Sequence, residues 1–414
     1  MLEYFFKDQA VAEQLKQSVL GPQIDTFVSV VYDLGYSPST IRMQLMLLVS
    51  LTRWVQKNDV DIFHMNENIT NRFLFESGRK GSGRRGDNKT LRCFLDHLRT
   101  EGLIDSPPST FDDSPLTSIK NRYEHFLRKE RGLSALTTSR YWLILRPFLI
   151  ERFGDGPLLF RELGQQDINR FLLRHAHETT PKVAQLMVST LRSFFRFLFR
   201  YGETKRDLSA IVPTVPSWRL TEVPKYLNPD ELEIILEACD RITSVGRRDY
   251  SILLLLARLG LRAGEVVALT LDDINWRTAE LTVRGKGQFC DCLPLPHEIG
   301  KTLAFYLRDD RPICSSRRIF LRMRAPFRGF KDSTTVSTIV RRAVQKSGLN
   351  TPSKGAHLLR HSLATGMLRR GASMAEIGEL LRHRSPNSTE IYAKVDIEGL
   401  RSIAHPWPER GGVK

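Results

Sequence analysis

Two arginines, two histidines and a tyrosine lie in an order that suits attack of a phenol on a phosphodiester. Arg262 sits in Gly260-Leu261-Arg262-Ala263-Gly264-Glu265, and His357 and Arg360 in His357-Leu358-Leu359-Arg360-His361. His383 ends Leu381-Arg382-His383, and Tyr392 follows nine residues later. Arginine forks bind nonbridging phosphate oxygens bidentately and stay charged at any working pH. Histidines titrate near neutrality and pass protons or donate to phosphate. A tyrosine hydroxyl, with a reference pKa of about 10, becomes a useful nucleophile only among positive charge and a base. Each piece alone has an ordinary explanation. Arg262 by itself reads as a surface salt-bridge partner, and Tyr392 as a half-buried packing residue with a solvated hydroxyl.

The elements that must position these side chains are legible in the same stretch. Ile252 to Leu259 reads as a buried helix ended by Gly260, and the glycines around Arg262 let the backbone turn tightly and aim the guanidinium outward. Thr278 to Gly287 alternates like a strand and turns on Gly285-Lys286-Gly287, with a second strand through Cys292-Leu293-Pro294-Leu295. His357 and Arg360, three apart, project together from a helix buried through Leu359, Leu363 and Met367 and stopped by Gly371. His361 is expected to point elsewhere on that helix and to be structural. Ser373-Met374-Ala375-Glu376 is a capping box whose helix, buried through Ile377, Leu380 and Leu381, delivers His383 at its end. Ser385-Pro386 starts a short helix with Tyr392 at its far end.

The assembled pattern, from Asn228 to Asp396, resembles the C-terminal half of the tyrosine recombinases, the family of phage and mobile-element integrases and Xer-type resolvases. The resemblance implies that Tyr392 attacks the scissile phosphate to give a 3′-phosphotyrosyl bond and a free 5′ hydroxyl. It implies that Arg262, Arg360 and His383 stabilise the nonbridging oxygens, that His357 manages the tyrosine proton, and that Lys286 protonates the leaving oxygen. The reaction so implied is metal-independent transesterification, with no cofactor. Two departures stand out. Phe289, Cys290, Asp291 and Cys292 follow Lys286 where relatives carry basic residues, and Arg382 stands where relatives have glycine, a change expected to be tolerated.

Composition points the same way. Lys and Arg number 62 against 46 Asp and Glu, a formal charge of +16 that suits a polyanionic partner. Five scattered cysteines (Cys93, Cys239, Cys290, Cys292, Cys314) fit a reducing compartment rather than a disulfide framework. Cys290-x-Cys292 lacks a second Cys/His pair, so no metal site is expected. Met1 to Asp8 shows no basic leader before an apolar run, and Ile252 to Ala257, the longest aliphatic stretch, is far too short for a bilayer. A cytoplasmic protein with no membrane partner is expected.

A chain of 414 residues exceeds a typical single core. Its first half repeats. Ser39-Thr40-Ile41-Arg42 aligns with Thr137-Thr138-Ser139-Arg140, and Asn71-Arg72-Phe73-Leu74 with Asn169-Arg170-Phe171-Leu172, both at an offset of 98. Thr90-Leu91-Arg92-x-Phe94 aligns with Thr190-Leu191-Arg192-x-Phe194 at an offset of 100, so duplication of a helical module is the better reading. Pro- and Ser-rich breaks at Ser106 to Pro115 and Val212 to Trp218 separate three expected domains: 1–105, an additional helical copy; 114–206, a helical module; and 221–414, the catalytic part. By the resemblance, 114–206 is the core-binding clamp on DNA. Arg192, Arg196 and Arg200 on one helix face, with Arg140, are its expected phosphate contacts. The basic loop Gly78 to Gly86 in the first copy reads as a groove contact or as a solvated loop.

The expected fold is mostly α and multidomain, with a mixed α+β catalytic part carrying a small antiparallel sheet. The expected function is a site-specific recombinase, an integrase or transposase of a mobile element. It would act on double-stranded DNA as a homo-tetramer on synapsed sites, alone or with related recombinases. Two rivals are a type IB-like topoisomerase, which needs no second duplex, and a non-catalytic helix-turn-helix regulator built on Ala372 to Glu390. The second leaves Arg262, Lys286 and Tyr392 unexplained.

Overall fold

A computed structural model of the chain describes residues 1–6, 9–78, 86–105, 114–216, 223–285, 289–395 and 401. The chain divides into two compact units, Met1–Asp105 with Glu222–Lys414, and Ser106–Thr221. The break at 106–113, the connection at 217–222 and the basic loop at 79–85 lie outside the described residues.

In the Ser106–Thr221 unit, helices Pro115–His125, Ala135–Phe153, Gln165–Ala176 and Pro181–Arg200 surround an aromatic core. The last helix places Met187, Leu191, Phe194, Phe195 and Leu198 at three- and four-residue spacing, so one face can be wholly apolar. Phe194 meets Tyr123 edge to face with ring centroids 5.2 Å apart. Tyr201, just past the end of this helix, is 45% exposed.

The N-terminal copy has the same order of elements. Helix Pro38–Lys57, the 3-10 turn Ile62–His64, and helices Glu67–Glu76 and Asp87–Thr100 parallel Ala135–Phe153, Phe160–Glu162, Gln165–Ala176 and Pro181–Arg200. Even the first caps correspond, since Ser37 Oγ accepts from Thr40 N and Ser134 Oγ from Thr137 N, both at 3.3 Å. This copy keeps its own apolar core, with Phe27 and Phe94 rings 5.4 Å apart. It also meets the C-terminal part of its unit. Phe327 N donates to the Leu34 carbonyl at 2.9 Å, and the Phe327 ring covers Gly35.

The C-terminal part is built around helix Ser244–Arg258, whose Ile252 to Leu256 are all fully buried. A helix apolar on every side must be enclosed, and Pro229–Glu237, Thr334–Lys346 and Ala356–Arg369 pack near it. Beside them lies an antiparallel sheet of β1 (Ile274–Asn275), β2 (Glu280–Arg284) and β3 (Cys290–Pro294), in that order. Leu281 pairs with Leu293 and Val283 with Asp291, which sends Leu281, Val283 and Leu293 into the core. The expected capping box at Ser373–Glu376 forms, and Asn228 and Glu231 make another at the start of Pro229–Glu237. No helix among the described residues is long and apolar enough to cross a membrane.

Gly35 packs closely where the N-terminal helices meet the C-terminal part. Its φ is +80°, and a Cβ there would lie 2.1 Å from the Phe327 ring. Gly35→Ala should lower the stability of the full chain by about 1–3 kcal/mol. A urea midpoint equal to wild type would show that the Phe327 ring moves aside freely.

Candidate active site

Arg360 anchors the site from helix Ala356–Arg369 and is 3% exposed. Its two terminal nitrogens donate to the carbonyls of Gly260 and Leu381. Burial, with the charges of Arg262 and Arg382, pulls its pKa down to about 10, so the guanidinium remains charged at neutral pH. Gly260 is at φ +57°, and a Cβ there would lie 2.7 Å from Leu381 and 3.0 Å from Leu363. Only glycine lets the chain pass between these side chains on its way to Arg262.

Arg262 is the N-cap of the short helix Ala263–Ala268, and Glu265 at the third helical position reaches back to it. Glu265 Oε2 accepts from Arg262 N at 2.8 Å, and Oε1 from Arg262 Nη1 at 2.6 Å. Arg262 Nη2 donates to the Arg382 carbonyl at 3.4 Å. Burial of Glu265 opposes its charge. The Arg262 backbone N–H and the Arg382 and Arg262 guanidiniums outweigh it and hold the carboxyl below its usual range. Arg382 is more than tolerated. It adopts φ +54°, is 7% exposed, and donates from Nη2 to Glu265 Oε2 at 2.8 Å.

Tyr392 departs from the ordinary reading of an exposed-tipped packing residue. It is 1% exposed, packed with Ala364, Ile377 and Leu381, and lies within the 3-10 turn Glu390–Val395. Burial pushes its pKa up to about 12 even though Arg360 and Arg262 pull the other way. Its hydroxyl is 2.8 Å from His361 Nδ1. The sequence reading sent His361 elsewhere, and the structure corrects it. The signal was available, because His357 and His361 are four apart and share a helix face, with ring centroids 6.1 Å apart. His357 itself is exposed, and desolvation together with Arg360 and Arg262 lowers its pKa.

His383 follows helix Met374–Leu380, and its Nδ1 lies 2.8 Å from Thr389 Oγ1. Burial first, then the Arg360 and Arg262 charges, bring its pKa down to about 4. Burial, His357 and Arg360 do the same to His361, also to about 4. Arg262, Arg360, His361, His383 and Tyr392 are thus gathered by direct bonds or by bonds to adjacent backbone.

Lys286 lies outside the described residues. The unusual second strand of its hairpin has a use: Asp291 accepts from Arg384 Nη2 at 2.8 Å, and the Arg384 guanidinium lies 4.6 Å from the Phe289 ring centroid. In the other unit the arginine stripe is engaged internally. Arg192 donates to Val212 O and Thr214 Oγ1, both at 2.9 Å, Arg196 to Ser209 Oγ at 3.3 Å, and Arg200 pairs with Glu130 at 2.9 Å. Arg140 is exposed. Among the described residues no group of three His, Cys, Asp or Glu is placed to hold a metal ion.

Residues 225–398 match the phage integrase family, and residues 121–202 match the phage integrase N-terminal SAM-like domain. The chain is 36% identical over 408 residues to the protein named "Putative integrase/recombinase y4rA" of Sinorhizobium fredii (strain NBRC 101917 / NGR234), covering 98% of this chain and 99% of that one. It is 31% identical over 293 residues to the tyrosine recombinase XerD of Listeria innocua serovar 6a (strain ATCC BAA-680 / CLIP 11262), covering 70% of this chain and 97% of that one. The fold is that of the lambda integrase tetramer solved on a Holliday junction, with a TM-score of 0.51 at 21% identity over 79% of this chain and 90% of that one. The chain therefore belongs to the phage integrase family and is a site-specific tyrosine recombinase.

The depressed histidine pKa values carry a stability consequence. In the unfolded chain both rings take a proton near pH 6.5, whereas in the fold they resist it until about 4. Stability is therefore fully present above pH 6.5 and is lost as pH falls from there toward 4. The urea midpoint should drop between about pH 7 and about pH 5, and the His361→Gln/His383→Gln variant should drop less. Equal drops would mean that these rings titrate normally in the fold.

Proposed function

We propose that Tyr392 is the nucleophile that cleaves one DNA strand by direct attack on phosphorus. The Tyr392 Oη–P bond forms as the bond from phosphorus to the 5′ oxygen breaks, leaving a 3′-phosphotyrosyl link and a free 5′ hydroxyl. Arg262 and Arg360 meet the nonbridging oxygens with preorganised charge, and His383 donates a further hydrogen bond. The guanidiniums carry the charge compensation, and no metal ion or cofactor enters the scheme.

The observation that carries this reading is the convergence on one short stretch of chain. The carbonyls of Leu381 and Arg382 accept from Arg360 and Arg262, His383 is the next residue, and Tyr392 packs on Leu381. His361 Nδ1, on the ring that touches the hydroxyl, orients Tyr392 Oη, and the proton leaves to water as the turn shifts toward the phosphate, where Arg360 and Arg262 favour the phenolate. Burial keeps His361 neutral, and in the Nε2–H tautomer its Nδ1 accepts the hydrogen bond from the Tyr392 hydroxyl. The exposed His357 then serves the phosphate side of the site. Lys286, which lies between β2 and β3 in sequence, protonates the departing 5′ oxygen. With Tyr392 at 1% exposure, the Glu390–Val395 turn has to shift before Oη meets a phosphate.

The energy of the broken bond is kept in the phosphotyrosine, so a 5′ hydroxyl from a second duplex can reverse the step and exchange strands. Two duplexes then call for four protomers, as in the lambda integrase tetramer on a Holliday junction. The additional N-terminal copy, within the span aligned to y4rA, favours a mobile-element integrase or transposase over a chromosome-dimer resolvase. The helical unit ahead of the catalytic part acts as a DNA clamp, with the exposed Arg140 among its phosphate contacts. Arg192, Arg196 and Arg200 contact phosphates with the nitrogens that their internal bonds leave over.

Tyr392→Phe should abolish covalent capture of a suicide substrate while leaving DNA binding nearly unchanged, since only the nucleophilic oxygen is lost. A covalent adduct in that variant would remove Tyr392 from the role. Arg360→Ala should cost about 3 kcal/mol or more in transition-state stabilisation, as loss of an oxyanion donor does. Single-turnover cleavage within about threefold of wild type would place Arg360 outside the chemistry. Strand exchange between two labelled sites separates the recombinase from a topoisomerase.

A further inference from the structure

The Arg382 side chain is bound at three points, to Glu265, Leu380 O and Leu259 O, but has no part in the scheme above. It stands at φ +54°, a left-handed conformation that costs an L-residue and suits glycine. Its guanidinium is buried, and its Nε has no hydrogen-bond partner among the described residues. Both features oppose an arginine at this position, so some interaction must offset them.

That interaction is with Glu265. Arg382 Nη2 takes Oε2 at 2.8 Å, the same oxygen that accepts the Arg262 backbone N–H, while Arg262 Nη1 takes Oε1 at 2.6 Å. Arg382 Nη1 is fixed by the Leu380 carbonyl at 3.0 Å. Glu265 is thus shared between two guanidiniums, and its charge is divided. Without Arg382, the whole carboxylate would face Arg262, whose best geometry is a two-pronged fork that uses up its outward N–H groups. With Arg382, Arg262 gives Glu265 one guanidinium nitrogen only. The cluster of Arg262, Arg360, Arg382 and Glu265 also keeps a net excess of positive charge where a phosphate would sit.

We propose that Arg382 is a positioning residue for cleavage: it occupies one oxygen of Glu265 so that Arg262 keeps its remaining N–H groups for the scissile phosphate. This rests on the reading of Arg262 as a phosphate ligand.

The test is single-turnover cleavage of a suicide DNA substrate by the full chain carrying Arg382→Gly, Arg382→Met or Arg382→Lys. The scissile linkage is made either as phosphate or as methylphosphonate, in which a methyl group replaces one nonbridging oxygen and removes its charge. Arg382→Gly and Arg382→Met should cleave the phosphate about ten- to hundredfold more slowly, the usual loss when a group that holds a direct ligand is removed. Arg382→Lys should stay within about threefold of wild type, because Glu265 receives one bond here, which an ammonium also supplies. On the methylphosphonate the defects should largely disappear. In an Arg262→Ala background, Arg382→Met should add little.

Equal rates for the Met and Lys variants would overturn the proposal, as would equal defects on the two linkages. Met and Lys bear the same backbone strain, so their comparison decides the matter even if the Gly variant fails to fold. If Arg262→Ala alone cleaves the phosphate at the wild-type rate, the phosphate-ligand reading itself fails, whatever Arg382 does.

Discussion

The site depends on a single backbone turn at Leu381 and Arg382. Their consecutive carbonyl oxygens accept from Arg360 and from Arg262, two arginines about a hundred residues apart in sequence. Arg360 also holds the Gly260 carbonyl, two residues ahead of Arg262. Three segments are therefore tied at one point, and each bond has a charged donor, the stronger kind. Both arginines are oriented before any substrate arrives, which is what preorganised charge stabilisation requires. The left-handed φ at Arg382 and at Gly260 allows these carbonyls to face inward.

Burying this much positive charge has effects on every neighbour. The field of Arg360 and Arg262 disfavours protonation of His383, and that of Arg360 disfavours protonation of His361, while desolvation does most of the work on both rings. Both stay neutral, so each keeps one unprotonated ring nitrogen that can accept a hydrogen bond at a pH where free histidine is partly charged. The same two arginines pull the Tyr392 hydroxyl toward ionisation, but burial wins and the phenol stays protonated. Glu265 keeps its charge only because two guanidiniums and a backbone N–H surround it. A buried carboxylate with fewer partners would be costly.

Outside the site, internal bonding changes how basic residues are understood. Arg192, Arg196 and Arg200 form a regular helix-face stripe, yet their bonds to Val212, Thr214, Ser209 and Glu130 hold their own unit together. Asp291 and Phe289, which depart from the basic pattern expected of this hairpin, hold Arg384 next to His383. Residue type alone did not separate these uses from solvent or DNA contact.

Much was fixed locally and could be read from the chain. The capping boxes at Asn228 and Ser373, the helix of His357 and Arg360, the hairpin strands and the repeated helical module all depend on near neighbours and on apolar periodicity. The order of Arg262, His357, Arg360, His383 and Tyr392 carried the family resemblance for the same reason. Three things needed the tertiary structure. His361, one residue past Arg360, became the partner of Tyr392 only because the Glu390–Val395 turn folds back onto its helix. Arg382 became the counter-ion of Glu265 across 117 residues, a pairing that no local pattern encodes. The burial of Tyr392, and with it the state of its hydroxyl, was decided by Ala364, Ile377 and Leu381 closing around the ring. Local propensity and spacing set which residues share a face; which faces meet, and which charges are thereby buried together, is settled only when distant segments pack.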